Sequence, residues 1–214
     1  MGILKSGALG PFRNKVGPLV GRRHMSQNLL LPLPHPSNKP ATAKQLEAQE
    51  KLGLLSSFLN RIDKLVNPGF KAYTKHNSPV NAAFKYNYDH AFVKQGETFL
   101  LNYPKLVYSR GHILAPEGAA LSSAGSKITF SWQPQNQSAY CQFSDKASFM
   151  VFNAVKEKGF VIILQHTVNR YAGSFELEVP EDFAGHPVHC YMSFSSADGK
   201  KQGDSLYVGE VVVA

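Results

Sequence analysis

The chain has 214 residues, of which 43% are hydrophobic and 11% aromatic, enough for a buried core and too much for a disordered polymer. Twenty-three Lys and Arg against fifteen Asp and Glu give a formal net charge of +8, while no run of about 18 apolar residues exists to span a membrane as a helix. The positive charge points to an anionic partner: nucleic acid, an acidic surface or an acidic protein.

That charge is unevenly placed. Residues 1–110 carry sixteen basic and five acidic side chains, whereas residues 111–214 carry seven and ten. The first 46 residues hold Lys5, Arg13, Lys15, Arg22, Arg23, Lys39 and Lys44 and no acid at all. Gly7, Gly10, Gly17 and Gly21 punctuate this leader, and Phe12, Val16, Leu19 and Val20 stand as apolar anchors between the charges. Such a segment cannot bury enough apolar surface to fold alone, so the reading is an extended basic arm over 1–41 that needs a partner. Pro32, Pro34, Pro36 and Pro40 make residues 29–41 a polyproline-like strap reaching on the order of 40 Å. Gly2 and Ser6 fit a loose myristoylation pattern that is short enough to occur by chance. Prolines and charges interrupt any secretory apolar core, and the glycines oppose a presequence helix, so cytoplasmic synthesis is expected.

Thr42 with Gln45 has capping-box spacing and predicts a helix of about 24 residues, its face formed by Leu52, Leu55, Leu59, Ile62 and Val66 and its end marked by Asn67-Pro68-Gly69. Ser78 followed by Pro79 predicts a second helix continuing through Phe84, Tyr86 and Phe92. These make a helical segment over 42–96.

From Glu97 the period changes to that of strands. Runs at 99–103, 106–109, 128–132, 149–155, 160–165, 174–179, 188–195 and 206–213 predict an antiparallel sandwich over 97–214, with Trp132 in its core. The fold class expected is therefore α+β: basic arm, two helices and an immunoglobulin-like β-sandwich.

The motifs Gly10-Pro11-Phe12-Arg13-Asn14-Lys15-Val16-Gly17-Pro18-Leu19-Val20-Gly21, Lys39-Pro40-Ala41-Thr42 with Gln45, Asn67-Pro68-Gly69-Phe70-Lys71-Ala72-Tyr73, Asn81-Ala82-Ala83, Asn87-Tyr88 and Gly203-Asp204-Ser205-Leu206-Tyr207-Val208-Gly209-Glu210 resemble a family of uncharacterised Bacteroidota proteins. The resemblance covers the whole chain and implies the same layout of basic start, proline strap, helices and β domain. It carries over no catalytic residue, substrate or cofactor.

The residues themselves speak against catalysis. The eight histidines lack His-x-x-x-His and His-Glu-x-x-His spacing, no Gly-x-Ser-x-Gly elbow occurs, and Glu176 and Glu178 alternate with apolar residues as on a solvated strand face. Cys141 and Cys190 have no Cys-x-x-Cys spacing, which argues against zinc; a disulfide between them stays open, with buried free thiols the expectation. No cofactor or metal is expected. The leading reading is a non-enzymatic structural or assembly protein, such as a virion component, forming a homo-oligomer or larger assembly. Its basic arm (Lys5, Arg13, Lys15, Arg22, Arg23, Lys39 and Lys44) contacts nucleic acid or neighbouring subunits. Alternatives are a cellular nucleic-acid-binding protein, in which Phe12, Tyr73, Tyr86 and Tyr88 stack on bases, and an immunoglobulin-like contact module. Helix-face packing is the simpler reading of those tyrosines.

Overall fold

In the computed structural model, which describes residues 2–4, 13–24, 27–35, 39–74, 77–155 and 160–213, the chain divides into two units, Met1–Ala43 and Lys44–Ala214. Among the described residues it is an α+β chain of three α-helices and many antiparallel strands.

The described residues of the leader form strands where an extended arm was expected. Strands β1 (Gly2–Leu4), β2 (Asn14–Val16), β3 (Leu19–His24) and β4 (Gln27–Pro32) make one antiparallel sheet in the order β1-β4-β3-β2. Gly17 takes φ 57° at the first position of the two-residue β2–β3 loop, a conformation that favours glycine, and Pro18 fills the second. The strap also begins later than expected. Pro32 is the last residue of β4, so Gln27–Leu31 keep every backbone N–H for pairing, and the Leu33 N–H still donates to Pro18 O at 2.8 Å. In β2–β4 only Gly21 and Leu29 are buried among the described residues; Val16 and Leu19 are exposed.

In the second unit the predicted long helix is two: α1 (Ala43–Arg61) and α2 (Asp63–Gly69), separated where Ile62 leaves helical geometry at ψ 24°. Helix α3 (Pro79–Asn87) starts as its sequence dictates, with the Asn81 N–H donating to the Ser78 hydroxyl at 3.2 Å and Pro79 at the first position. It ends at Asn87, and Phe92 opens a strand. The buried Asn87 side chain donates to Ala83 O and Val107 O and accepts from the Val107 N–H, each at 2.8 Å. That clamp explains why the predicted strand at 106–109 is none. Its polar groups are taken by side chains and loops: the Tyr108 N–H donates to the Ser205 hydroxyl at 3.0 Å, and the Ser109 hydroxyl donates to Gly203 O at 2.8 Å.

Strands β5 (Phe92–Gln95) and β6 (Thr98–Leu101) form a hairpin whose loop is Gly96-Glu97, so the expected boundary between 96 and 97 falls inside a single supersecondary unit. Strands β7 (Glu117–Ala124), β8 (Lys127–Gln133) and β11 (Ser174–Glu178) make a sheet ordered β11-β8-β7. Strands β9 (Lys146–Asn153), β10 (Phe160–Leu164), β12 (Pro187–Ser195) and β13 (Leu206–Val212) make another, ordered β10-β9-β12-β13.

The central pair β9 and β12 is covered on both faces. Ala147, Phe149, Val151, Cys190, Met192 and Phe194 share a core with Ile128, Phe130, Trp132 and Leu177 of the three-stranded sheet. The intervening Met150, Phe152 and Tyr191 pack with Leu55, Phe58, Leu59, Ile62 and Val66 of the helices. Strand alternation sends neighbouring residues to opposite layers, so helices and sheets share one wall. Helices and β region thus belong to one unit, not to separate segments at 42–96 and 97–214.

The first of these cores holds a buried charge. Arg170 and Asp145 are 1% and 2% exposed, with Arg170 Nε 3.4 Å from Asp145 Oδ2 in a charge contact that lacks hydrogen-bond geometry. The guanidinium donates to Leu114 O at 2.7 Å and to Gln135 Oε1, and lies 3.8 Å from the centre of the Phe194 ring. Trp132 Nε1 donates to Arg170 O at 2.7 Å, fixing the sole tryptophan, 5% exposed, in the core as expected. Cys141 and Cys190 are both buried free thiols.

Candidate functional site

The basic residues picked out in the leader separate on folding. Arg13, Lys15, Arg22, Arg23 and Lys39 are exposed in the first unit, while Lys44 is exposed near the start of α1 in the second. Lys5 and Phe12 lie outside the described residues. Lys15 pairs with Val20, and Arg22 lies two residues further along β3, so the two cations share one face as diagonal neighbours at about 7–8 Å. Arg23 is on the other face. The basic leader is thus a two-faced charged sheet in place of a single stripe.

A second cluster of cations, which sequence reading passed over, lies in the second unit. Arg110 is set by backbone contacts: its N–H donates to Gly69 O at 3.0 Å, and the next N–H, of Gly111, donates to Asp204 Oδ1 at 2.9 Å. A Cβ at position 111 would stand 1.8 Å from Gln202 O, so only glycine permits this approach. The Arg110 guanidinium lies over the rings of Tyr73 and Tyr86, 4.7 and 4.2 Å from their centres. Tyr73 belongs to the short 3-10 turn Lys71–Tyr73 and Tyr86 to α3, and the buried Phe70 contacts both rings at 6.1 and 6.0 Å. Tyr73 and Tyr86 are nonetheless 40% and 39% exposed.

Two clefts meet at this ridge. One, of about 770 Å³, is lined by Phe70, Tyr73, Lys85, Tyr86, His90 and Arg110, with Asp89 also on its wall. The other, of about 420 Å³, is lined by Lys71, Tyr73, Arg110, His112, Lys200 and Lys201, with Asp198. Asp198 is engaged already. The Ser196 hydroxyl at 2.6 Å and the Lys200 N–H at 3.1 Å hold its carboxyl below the usual range.

Of the tyrosines considered as stacking groups, Tyr73 and Tyr86 are brought together, whereas Tyr88 packs against Phe84 and Phe92 at 5.5 and 5.8 Å. No local signal marked Arg110, because its tyrosine partners stand 37 and 24 residues away in sequence. Elsewhere, Glu176 and Glu178 lie on the solvent face of β11, 2.6 and 3.7 Å from Lys127. His189 stacks on Tyr103 at 4.0 Å and meets the Tyr207 hydroxyl at 3.1 Å; burial holds its pKa below the ordinary value despite Glu210 at 3.6 Å. Among the described residues no three His, Cys, Asp or Glu gather as a metal site, and no helix is long and apolar enough to cross a membrane.

These features define an α+β protein of antiparallel sheets with an exposed basic sheet in one unit and an aromatic, cationic pair of clefts in the other. The chain belongs to the family of unknown function DUF6266, whose model matches residues 10–209. No curated protein matches it significantly. Among solved structures it is similar to the FN1–FN3 domains of chicken CNTN1, with 14% identity and a TM-score of 0.37 over 49% of this chain. The match spans 33% of that protein's length.

Proposed function

We propose that this chain is a self-assembling structural protein in which the N-terminal sheet docks on a neighbouring copy. The observation that supports it is the shortage of core in the first unit. Strands β2–β4, whose side chains are described, bury one apolar side chain, Leu29, while Val16 and Leu19 are exposed. A small sheet is stabilised by burying a hydrophobic face, and the exposed Val16 and Leu19 leave apolar surface here for a neighbour to cover. In this reading the β11-β8-β7 and β10-β9-β12-β13 sheets are the leaves of an immunoglobulin-like sandwich that serves as the scaffold. The cations Arg13, Lys15, Arg22 and Arg23 meet acidic groups such as Glu176 and Glu178 on the outer strand β11 of the next copy. A capsid or other regular lattice is the kind of assembly that this division of labour suits.

Sedimentation velocity on the full-length chain tests the proposal. Oligomers that grow with concentration and shrink on adding salt are expected, and Leu19→Asp should return them to monomer with the second unit's circular dichroism intact. A monomer at every concentration and salt would refute it. Association seen only after adding nucleic acid would transfer the role of the basic sheet to polyanion binding.

A further inference from the structure

We propose that the two clefts meeting at Arg110 bind a nucleotide unit, with Arg110 and the flanking lysines on its phosphate and Tyr73 and Tyr86 beside its base. The site lies wholly in the second unit and does not rest on the self-association reading.

The phosphate follows from charge and geometry. Lys71, Lys85, Arg110, Lys200 and Lys201 line the clefts against two acids, Asp89 and Asp198, and Lys200 lies 3.5 Å from Asp198. Arg110 has no carboxylate within ion-pair distance among the described residues. A guanidinium whose planar face is stacked on rings keeps its N–H edge for a forked contact, which phosphate oxygens match. Purely structural arginines in this chain look different: Arg170 is buried and its donors go to Leu114 O and Gln135 Oε1. Arg110 instead is half-buried and lines both clefts.

The base follows from the rings. Tyr73 and Tyr86 stay 40% and 39% exposed although Phe70, which contacts both rings, is buried. The larger cleft also carries His90, 5.5 Å from Tyr86 in an edge arrangement. Tyrosine and histidine rings are sequence-tolerant platforms for bases, and cationic grooves beside them track the sugar-phosphate backbone. The cleft volumes, about 770 and 420 Å³, fall in the range of roughly 300–1,000 Å³ typical of small-molecule sites.

Fluorescence anisotropy with the full-length chain decides it, using a labelled deoxythymidine strand of about ten nucleotides and an abasic strand of equal length. The abasic strand should bind more weakly. Tyr86→Ser should weaken binding of the natural strand by about 5- to 150-fold, the range of one lost base stack. Because Arg110→Gln also removes the packing on Tyr73 and Tyr86, Lys85→Gln with Lys201→Gln is the second variant, expected to lower the slope of log K against log salt by about 1.4. Lys15→Gln with Arg22→Gln reports on the basic sheet and should not abolish binding, while Lys64→Gln with Lys105→Gln, exposed cations outside both clefts, should leave the affinity unchanged. Thymidine monophosphate as competitor separates the sources: displacement assigns the site to free nucleotides, and its failure assigns it to a strand. Equal affinity for natural and abasic strands, wild-type binding by the cleft variants, loss of binding only in the Lys15 and Arg22 variant, or no binding at all would overturn the proposal.

Discussion

Removing the Arg170 guanidinium is the severest test of the core that this structure offers. Arg170→Met keeps an unbranched apolar stem beside Phe194 but deletes the donors to Leu114 O and Gln135 and the charge opposite Asp145. Asp145 then stays 2% exposed with its carboxylate supported by the Gln142 N–H at 2.8 Å. Losing one partner of a buried ion pair costs about 3–5 kcal/mol. In a chain of this size that corresponds to a fall of about 6–20 °C in Tm. Urea denaturation of the wild type, Arg170→Met, Asp145→Asn and the double variant measures it. The double variant should be more stable than the two single losses added together, with a coupling of about 1–3 kcal/mol, because it leaves no unmatched buried charge. A loss below about 1 kcal/mol for Arg170→Met, or strictly additive variants, would mean that water reaches the pair and that the buried network is misdescribed.

Trp132→Ala should cost about 3–5 kcal/mol in the same assay, since it empties space between Phe149 and Phe194 and frees Arg170 O. Asn87→Ala strands the Val107 N–H and carbonyl, and a loss of about 1–3 kcal/mol with increased hydrogen exchange at 106–109 is expected. The pH dependence at His189 has a definite sign. Burial lowers its folded pKa, so the unfolded chain binds the proton more readily, and the penalty on the folded state grows as pH falls below the ordinary histidine value near 6.5. Melting scans should therefore show His189→Gln losing less stability than wild type between neutral pH and pH 5; parallel curves would contradict this.

How far the fold was legible depended on where each residue's partners lie. Ser78 with Pro79 announces α3 because a cap and its N–H are three residues apart, and Trp132 was readable as core from its place in an apolar strand. Strand β7 escaped notice: Gly118, Ala119, Ala120, Ser122 and Ser123 have weak strand preference, and it exists through pairing with β8, as in Leu121 opposite Phe130. The leader misled for a related reason: among its described residues Gly17 and Pro18 fall in the β2–β3 loop, Pro32 ends β4, and Gly21 sits inside β3, paired with Leu30, without breaking it. The run at 106–109 looks like a strand and is held by side chains instead. At the clefts, Tyr73 and Tyr86 were open to a stacking role, but Arg110 becomes a candidate only once residues from the turn, α3 and the 106–110 segment converge. That convergence is a long-range property which no local spacing encodes.

Strands β9 and β12 act as a party wall. Phe149 leans on one tenant and Met150, its immediate neighbour, on the other, so neither the helical side nor the three-stranded side can be evicted without baring an oily surface to water. The expected thermal record is one shared melting event for residues 44–214, and gene fragments cut near residue 96 should yield aggregates on both sides of the cut. Recombination could trade this unit only whole.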